Sequence, residues 1–201
     1  MARSDILLVL ALSLIAICST ACSEPQEEAI RPLEESTAMP TARPIPAKKF
    51  IPPEGQVLFI MGQDNDTLDE YLAAVPQPFP GGFTSYSSLE KLEGITSKAN
   101  YGSGDLHMDK LAGEQPQSVL ALGLSMVNYL PAVPAGMADH KIDRLLETLG
   151  GYDRPIFLRF GYEFDGEWNH YEPEEFIKAW IYFYEKIEEK GLSGQIAMVW
   201  Q

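Results

Sequence analysis

Cysteine is almost absent from this chain. Its two cysteines, Cys18 and Cys22, both lie in an apolar leader near the N-terminus. The rest of the chain therefore has no residue that could form a disulfide or act as a thiol nucleophile. A folded domain in that part must be held together by its hydrophobic core.

Basic residues are also scarce. Fifteen Lys and Arg residues face 29 Asp and Glu residues, and the formal net charge is -14. A nucleic-acid-binding domain needs a basic face, so this balance argues against a nucleic-acid partner. Hydrophobic residues make up 45% of the chain, which is ordinary for a globular domain with a solvated acidic surface.

Signatures of several chemistries are missing. There is no G-x-S-x-G turn for a serine nucleophile, and no glycine-rich phosphate loop follows the first predicted strand. The three histidines, His107, His140 and His170, do not have metal-ligand spacing. We therefore expect no bound metal and no cofactor.

The apolar run ILLVLALSLIAI, residues 6–17, is too short for a comfortable membrane span. Arg3 gives it a weakly positive start, and small residues precede Cys22, so a secretory signal peptide is predicted over residues 1–22. This segment resembles a bacterial lipoprotein signal, in which Cys22 would accept the lipid. We expect an exported protein, lipid-anchored at the cell surface or in the periplasm, with plain secretion as the alternative.

Residues 23–54 have the composition of a linker. They are rich in Pro, Glu and small polar residues and show no apolar periodicity. Such a segment cannot bury enough apolar surface to offset the entropy lost on ordering. We predict an extended tether, with some residues near Phe50 packed on the domain that follows.

Strand and helix patterns alternate from residue 55 to residue 201. Strands are predicted at 56–62, 81–89, 118–127, 154–163 and 196–200. Helices are predicted after a capping box of Thr67 and Glu70, around 105–114, and over 140–151 and 172–191. Alternation of this kind indicates a parallel sheet with helical cover.

The two longer helices each have a predicted core face. In the helix over 140–151 this face carries Ile142, Leu145, Leu146 and Leu149. In the helix over 172–191 it carries Phe176, Ile177, Trp180, Tyr184 and Ile187.

Two architectures fit this element order: a complete five-stranded open sheet, or a (β/α)8 TIM barrel truncated after about the fifth strand. A complete barrel needs ~250 residues, and residues 55–201 fall well short of that. The chain ends one residue after the fifth predicted strand, which favours the truncated barrel. We therefore expect residues 55–201 to form a partial barrel domain.

Side chains suited to a carbohydrate follow the predicted strands. In parallel α/β folds, functional groups collect at the carboxyl ends of strands. Acids and amides can bond sugar hydroxyls, aromatic rings can stack on sugar faces, and a carboxyl group near apolar rings can act as a general acid. The candidates are Gln63, Asp64, Arg159, Tyr162, Glu163, Asp165, Trp168, Tyr171 and Trp200.

The stretch RFGYEFDGEWNHY, residues 159–171, resembles the fourth-strand motif of glycoside hydrolase family 26, best known for β-mannanases. That motif is approximately E-x-[ND]-G-x-W, followed three residues later by an aromatic. Its positions match Glu163, Asp165, Gly166, Trp168 and Tyr171. The stretch LFIMGQD, residues 58–64, also resembles the first strand of the family, which ends in Gly-Gln. VW, residues 199–200, resembles its fifth strand.

The resemblance implies a (β/α)8 barrel that hydrolyses a β-linked polysaccharide with retention of configuration. Glu163 would be the general acid/base, and the nucleophile would be a glutamate on a seventh strand that this sequence does not contain. We expect an endo-acting monomer on a substrate of the mannan or β-glucan class, with xylan also open. Family mannanases have His where Tyr162 stands and usually Asn at Asp165, so a non-catalytic glycan-binding surface lipoprotein is the alternative.

Simpler structural roles compete with these assignments. Glu163 could form a salt bridge with Arg159. Trp168 and Tyr171 could form a hydrophobic staple for the next helix. Gln63 and Asp64 could cap the first helix.

Overall fold

The fold is seen in a computed structural model that describes residues 50–62, 64–75, 80–99 and 104–201. The predicted signal peptide with Cys22, the linker up to residue 49, and Gln63 lie outside the described residues. The described residues all fall within one compact unit, Ala42–Gln201.

In the described residues, five strands alternate with four α-helices. The strands are β1 Ile60–Met61, β2 Gly82–Ser88, β3 Val119–Ser125, β4 Ile156–Phe160 and β5 Ile196–Val199. The helices are α1 Asn65–Ala74, α2 Met108–Glu114, α3 Asp139–Gly150 and α4 Pro173–Glu189, with a short 3-10 helix at Glu167–Asn169.

All five strands form one parallel sheet in the order β1-β2-β3-β4-β5. Alternate strand residues such as Phe83, Leu122 and Leu158 are fully buried in one core with residues from all four helices. The intervening residues Thr84, Ala121 and Phe157 line a groove on the other face. The described helices thus cover one face of a sheet whose strands follow chain order, which is consistent with part of a barrel.

The predicted strand and helix order is confirmed. In α3 the four residues assigned to the core, Ile142, Leu145, Leu146 and Leu149, are all fully buried. Phe50 packs edge-on against Phe157, with ring centroids 5.5 Å apart, as expected for residues near the end of the linker.

Two predictions at the start of the domain are wrong. The first strand covers only Ile60–Met61, because only these two residues pair with β2. Val57 before them is 88% exposed, and Phe59 is about half exposed. The predicted capping box of Thr67 and Glu70 is also absent. Asp64 caps α1 instead, so the helix begins before Thr67. The helix predicted around 105–114 is present as α2 and begins at Met108.

The predicted core face of α4 is correct only in part. Phe176 and Ile187 are buried, but Ile177 and Tyr184 are about half exposed. Phe183 fills the core instead, and its ring lies 5.1 Å from that of Phe160. Within the described part of the chain, no helix combines the length and apolarity that a bilayer crossing requires.

Candidate active site

The chain turns sharply as it leaves β4. Gly161 has a φ of +55°, and its N–H donates to Leu124 O on β3 at 2.9 Å. A Cβ at this position would lie 2.5 Å from Cε2 of Phe176, so both the backbone angle and the space require glycine. The turn brings Glu163 to the carboxyl end of the sheet.

Glu163 has a left-handed backbone with φ of +54°, which is uncommon for a residue other than glycine. Its carbonyl accepts from Gly166 N at 2.9 Å and from Asn169 Nδ2 at 2.8 Å. Its carboxylate Oε2 accepts from Trp168 Nε1 at 3.0 Å. Among the described residues, no hydrogen bond joins a partner to Oε1, and the Glu163 residue is exposed.

Trp168 lies across Gly166, where a Cβ would come within 2.5 Å of the indole Cε2. The Trp168 side chain is 69% exposed even though its indole N–H is bound to Glu163. An exposed ring beside a carboxyl group is an arrangement that suits a sugar, whose faces are apolar and whose edges carry hydroxyl groups.

A largely apolar cleft of about 420 Å³ adjoins this loop. Trp200, which follows β5, stacks on Trp180 with ring centroids 4.2 Å apart and remains 54% exposed. Phe164 packs edge-on against Trp200 at 5.2 Å. Asp165 is exposed on the lining of the same cleft.

Tyr171 joins the loop to its neighbours. Its hydroxyl accepts from Met126 N at 2.9 Å, just beyond β3, and its ring lies 5.7 Å from that of Phe176. Since Glu172 is the N-cap of α4, Tyr171 and Phe176 form a hydrophobic staple. Trp168, the other residue considered for the staple, is hydrogen-bonded to Glu163 instead. Burial raises the pKa of the Tyr171 hydroxyl. The edge of the Tyr171 side chain also lines the cleft.

Arg159 lies on the groove face of β4. Its guanidinium donates to Thr84 Oγ1 at 3.3 Å and to Gln201 Oε1. It lies 5.0 Å from the ring centre of Tyr86 and 5.6 Å from that of Tyr162. Among the described residues no ion pair joins Arg159 to Glu163, so the salt bridge considered from the sequence is not formed.

Gly123 makes room for these two tyrosines. A Cβ on Gly123 would lie 2.6 Å from Cδ1 of Tyr86 and 3.2 Å from Cδ1 of Tyr162. The rings meet edge to face with centroids 5.1 Å apart. Tyr162 therefore forms a packed cluster with Tyr86 and Arg159.

Asp64 has a capping role at the end of β1. Its Oδ1 accepts from Thr67 N at 2.9 Å and from Thr67 Oγ1 at 2.7 Å. These hydrogen bonds lower the pKa of Asp64 below its usual range, the backbone bond contributing most. Its assignment as a substrate-binding residue stays a prediction, as does that of Gln63, which lies outside the described residues.

The structure thus brings most of the candidates into two adjoining places. Asp165, Tyr171 and Trp200 line the cleft, and Glu163 and Trp168 are joined by a hydrogen bond in the loop beside it. Arg159 lines the groove, and Tyr162 packs against Arg159. No group of three or more His, Cys, Asp or Glu side chains in the described part of the chain could hold a metal ion.

Sequence reasoning missed three residues. Thr84 and Tyr86 contact Arg159 across the sheet, and Asn169 binds the Glu163 backbone. The signal for Thr84 and Tyr86 was their two-residue spacing in a strand, which places both side chains on the face opposite Phe83. Asn169 gave no signal beyond its place in the motif.

Comparison with curated proteins finds two similar enzymes. The chain is 37% identical over 153 residues to a beta-1,3-xylanase of a Vibrio species, covering 76% of this chain and 33% of that protein. It is 38% identical over 153 residues to a beta-1,3-xylanase of an Alcaligenes species, covering 76% and 32%. The chain spans about a third of the length of these curated relatives.

No protein-family model matches the chain. The two relatives alone show that three quarters of the chain is similar to a part of each of two glycoside hydrolases, both named for a β-linked polysaccharide.

Proposed function

We propose that the chain is the N-terminal portion of an exported, retaining, endo-acting glycoside hydrolase that cleaves a β-linked polysaccharide. The observation that carries the proposal is Glu163 at the carboxyl end of β4, hydrogen-bonded to an exposed tryptophan beside an aromatic cleft. The two beta-1,3-xylanase relatives support the same class of reaction.

Glu163 would be the general acid/base. Oε2 accepts a hydrogen bond from Trp168 Nε1. Oε1 would therefore carry the proton that is donated to the glycosidic oxygen as the bond to the leaving sugar breaks. In the second half-reaction the same carboxylate would take a proton from the water that attacks the anomeric carbon. The exposed ring of Trp168 would stack on a sugar face, and Asp165 would bond a hydroxyl group.

The nucleophile would be a second carboxylate about 5–5.5 Å from Glu163, as retaining hydrolysis requires. The resemblance to family 26 assigns it to a glutamate on a seventh strand. We propose that further βα units, matching the remaining length of the relatives, supply it and close the sheet into a (β/α)8 barrel. The chain-order sheet with its helices on one face supports this proposal.

The names of the relatives favour a β-1,3-linked xylan as substrate. Mannan and β-glucan, which the family 26 resemblance implies, remain the alternatives to be compared. Tyr162 distinguishes this site from family mannanases, because it packs against Tyr86 and Arg159 where those enzymes have a histidine.

The test is to express the full-length gene product and measure reducing-sugar release from β-1,3-xylan, β-1,4-xylan, mannan and mixed-linkage β-glucan. We expect Glu163→Ala to lower kcat/KM on the preferred substrate by about 10²–10⁴-fold, because general acid–base catalysis is lost. Proton NMR of the first products should show the β-anomer before mutarotation.

Glu185→Gln is the matched control, because it removes the charge of an exposed glutamate on α4 without touching the cleft. Its activity should equal that of the unmodified protein. Full activity in Glu163→Ala would remove the assigned role, and an α-anomeric first product would exclude retention.

A second function is favoured by the exposure of Trp168 and Trp200. Exposed rings can hold a polysaccharide without cleaving it, so a non-catalytic glycan-binding surface lipoprotein would keep this surface. That function predicts retardation in polysaccharide affinity gels with no release of reducing sugar. Measurable turnover would exclude it.

A further inference from the structure

The side chain of Asn169 points back toward Tyr162 and Glu163, which precede it in the β4 loop. It ends the 3-10 helix Glu167–Asn169, and its backbone N–H donates to Gly166 O at 3.0 Å. Its side-chain Nδ2 donates to two carbonyls, Glu163 O at 2.8 Å and Tyr162 O at 3.2 Å. One neutral amide group therefore uses both of its N–H bonds on consecutive carbonyls of the β4 loop.

The position of these two carbonyls matters. Tyr162 O belongs to the peptide group before the Glu163 Cα, and Glu163 O belongs to the peptide group after it. Because each peptide group is planar, holding both carbonyls fixes φ and ψ of Glu163 together. The angle held in this way is the left-handed φ of +54°, which a glutamate does not favour.

The direction of the carboxyl group follows from that backbone. With the left-handed angle in place, the Glu163 side chain meets Trp168, whose Nε1 lies 3.0 Å from Oε2. If the backbone relaxed to an ordinary negative φ, the Cα–Cβ bond would point elsewhere and the carboxyl group would lose this partner.

We propose that Asn169 is a positioning residue that directs the catalytic carboxyl group by fixing the backbone of Glu163. The proposal rests on the proposed function, because it takes Glu163 as the acid/base. Asn169 acts through the backbone of the loop and needs no contact with the substrate.

The first test replaces the amide with groups that cannot donate. Asn169→Asp keeps the shape of the side chain but presents oxygen to both carbonyls, and Asn169→Ala removes the group without adding charge. We expect each variant to lower kcat by about a hundredfold, since small displacements of a catalytic group have effects of that size. KM should stay within about threefold, because stacking surfaces that bind substrate are unchanged.

The second test follows the hydrogen bond between Trp168 and the Glu163 carboxylate by NMR, and it needs no substrate. The full-length gene product is labelled with ¹⁵N-tryptophan, and the indole resonance of Trp168 is identified by its absence in Trp168→Phe. Glu163→Ala gives the position of that resonance when the acceptor is removed. We expect Asn169→Asp and Asn169→Ala to move the indole resonance from the wild-type position toward the Glu163→Ala position.

Gln195→Glu is the matched control. The Gln195 side-chain amide also donates to two backbone carbonyls, Leu149 O at 3.2 Å and Tyr152 O, but it lies just before β5 at the opposite end of the strands. Its replacement should lower the free energy of unfolding while leaving kcat and the Trp168 resonance unchanged. This separates loss of stability from loss of positioning.

Two results would overturn the positioning role. One is a Trp168 resonance at the wild-type position in both Asn169 variants. The other is a fall in kcat that Gln195→Glu reproduces, which would mean general destabilisation. If the unmodified protein releases no sugar from any substrate, the proposed function fails, and the tryptophan resonance still decides whether Asn169 orients Glu163.

Discussion

Glu163 combines a strained backbone with a well-defined side chain. A left-handed conformation at a residue other than glycine costs on the order of 1–3 kcal/mol and persists where the surroundings enforce it. Here the enforcement comes from hydrogen bonds on both peptide groups and on the carboxylate itself. Such strain is typical of residues whose orientation matters for function.

Gly166→Ala should displace the indole of Trp168. The new Cβ would lie 2.5 Å from Cε2, so the ring must move and its hydrogen bond to Glu163 must break. We expect a fall in kcat/KM of about tenfold or more, from loss of one charge-assisted hydrogen bond worth about 1.5–3 kcal/mol. Steady-state kinetics on the preferred substrate provides the measurement.

Gly113→Ala is the control for that change. Gly113 is in α2, and a Cβ there would meet no atom within 4 Å. Alanine should stabilise the helix by about 0.5–1 kcal/mol and leave activity unchanged. Equal activity in the two alanine variants would contradict the role assigned to the Trp168 ring position.

At the residue scale, the sequence predicted what a linear motif can carry. Glu163 and Trp168 were both singled out, and the structure brings them into contact. Tyr86 was not, because its contacts with Arg159 and Tyr162 depend on strands separated by many residues and on the space left by Gly123. The identity of a residue does not reveal which residue it contacts on a neighbouring strand.

Helices α3 and α4 are joined by a ladder of charged groups. Lys186 Nζ lies 3.0 Å from Asp139 Oδ2, and Tyr182 donates to Asp139 Oδ1 at 2.7 Å. One turn further along, Lys190 lies 2.9 Å from Asp143. The hydrogen bond from Tyr182, followed by that from Lys186, holds the pKa of Asp139 below its usual value of 3.8.

This ladder predicts a pH dependence of stability. Because the folded-state pKa of Asp139 lies below its unfolded value, its contribution is present above about pH 4 and is lost as pH falls through the folded value. Asp139→Asn should therefore flatten the decline in free energy of unfolding as pH falls below about 5. Urea unfolding across that range measures it.

Asp153→Asn provides the comparison, since Asp153 is an exposed aspartate between α3 and β4. In this variant the free energy of unfolding should fall with decreasing pH as it does in the wild-type protein. An Asp139→Asn protein whose stability falls with pH as steeply as the wild type would show that the ladder does not contribute.

At the element scale, the buried face of a helix could be predicted only where its apolar residues form a single stripe. In α3 the leucines form a single stripe, and all were placed correctly. In α4 aromatic residues surround the helix, so periodicity could not distinguish Phe183 from Tyr184, and the packing of Phe183 on Phe160 decides the matter. In β1 the apolar run continues beyond the residues that find a partner strand.

At the scale of the whole molecule, the sequence predicted element order but could not predict closure. Order follows from alternating periodicities along the chain. Closure depends on which strand borders β1 and β5, and β1 and β5 are the two edges of the described sheet. The placement of all described helices on one face is the structural observation that favours a barrel over a doubly wound sheet.

The proposed export of the protein gives a prediction at the same scale. If Cys22 accepts a lipid, Cys22→Ser should move the protein from the membrane fraction to the soluble fraction and abolish labelling by radioactive palmitate. Cys18→Ser is the matched control, because it alters the other cysteine within the leader and should leave both readouts unchanged. Membrane recovery of Cys22→Ser would point to an anchor other than this lipid.

The contact of the β4 loop with Gln201 has a consequence for the order of events during synthesis. Phe164 N donates to Gln201 O at 3.2 Å, and the Gln201 side chain accepts from Arg159. When residue 163 is added to the nascent chain, Gln201 has not yet been synthesised. The loop that holds Glu163 can therefore take its final form only after α4 and β5 have been synthesised and Gln201 has reached it.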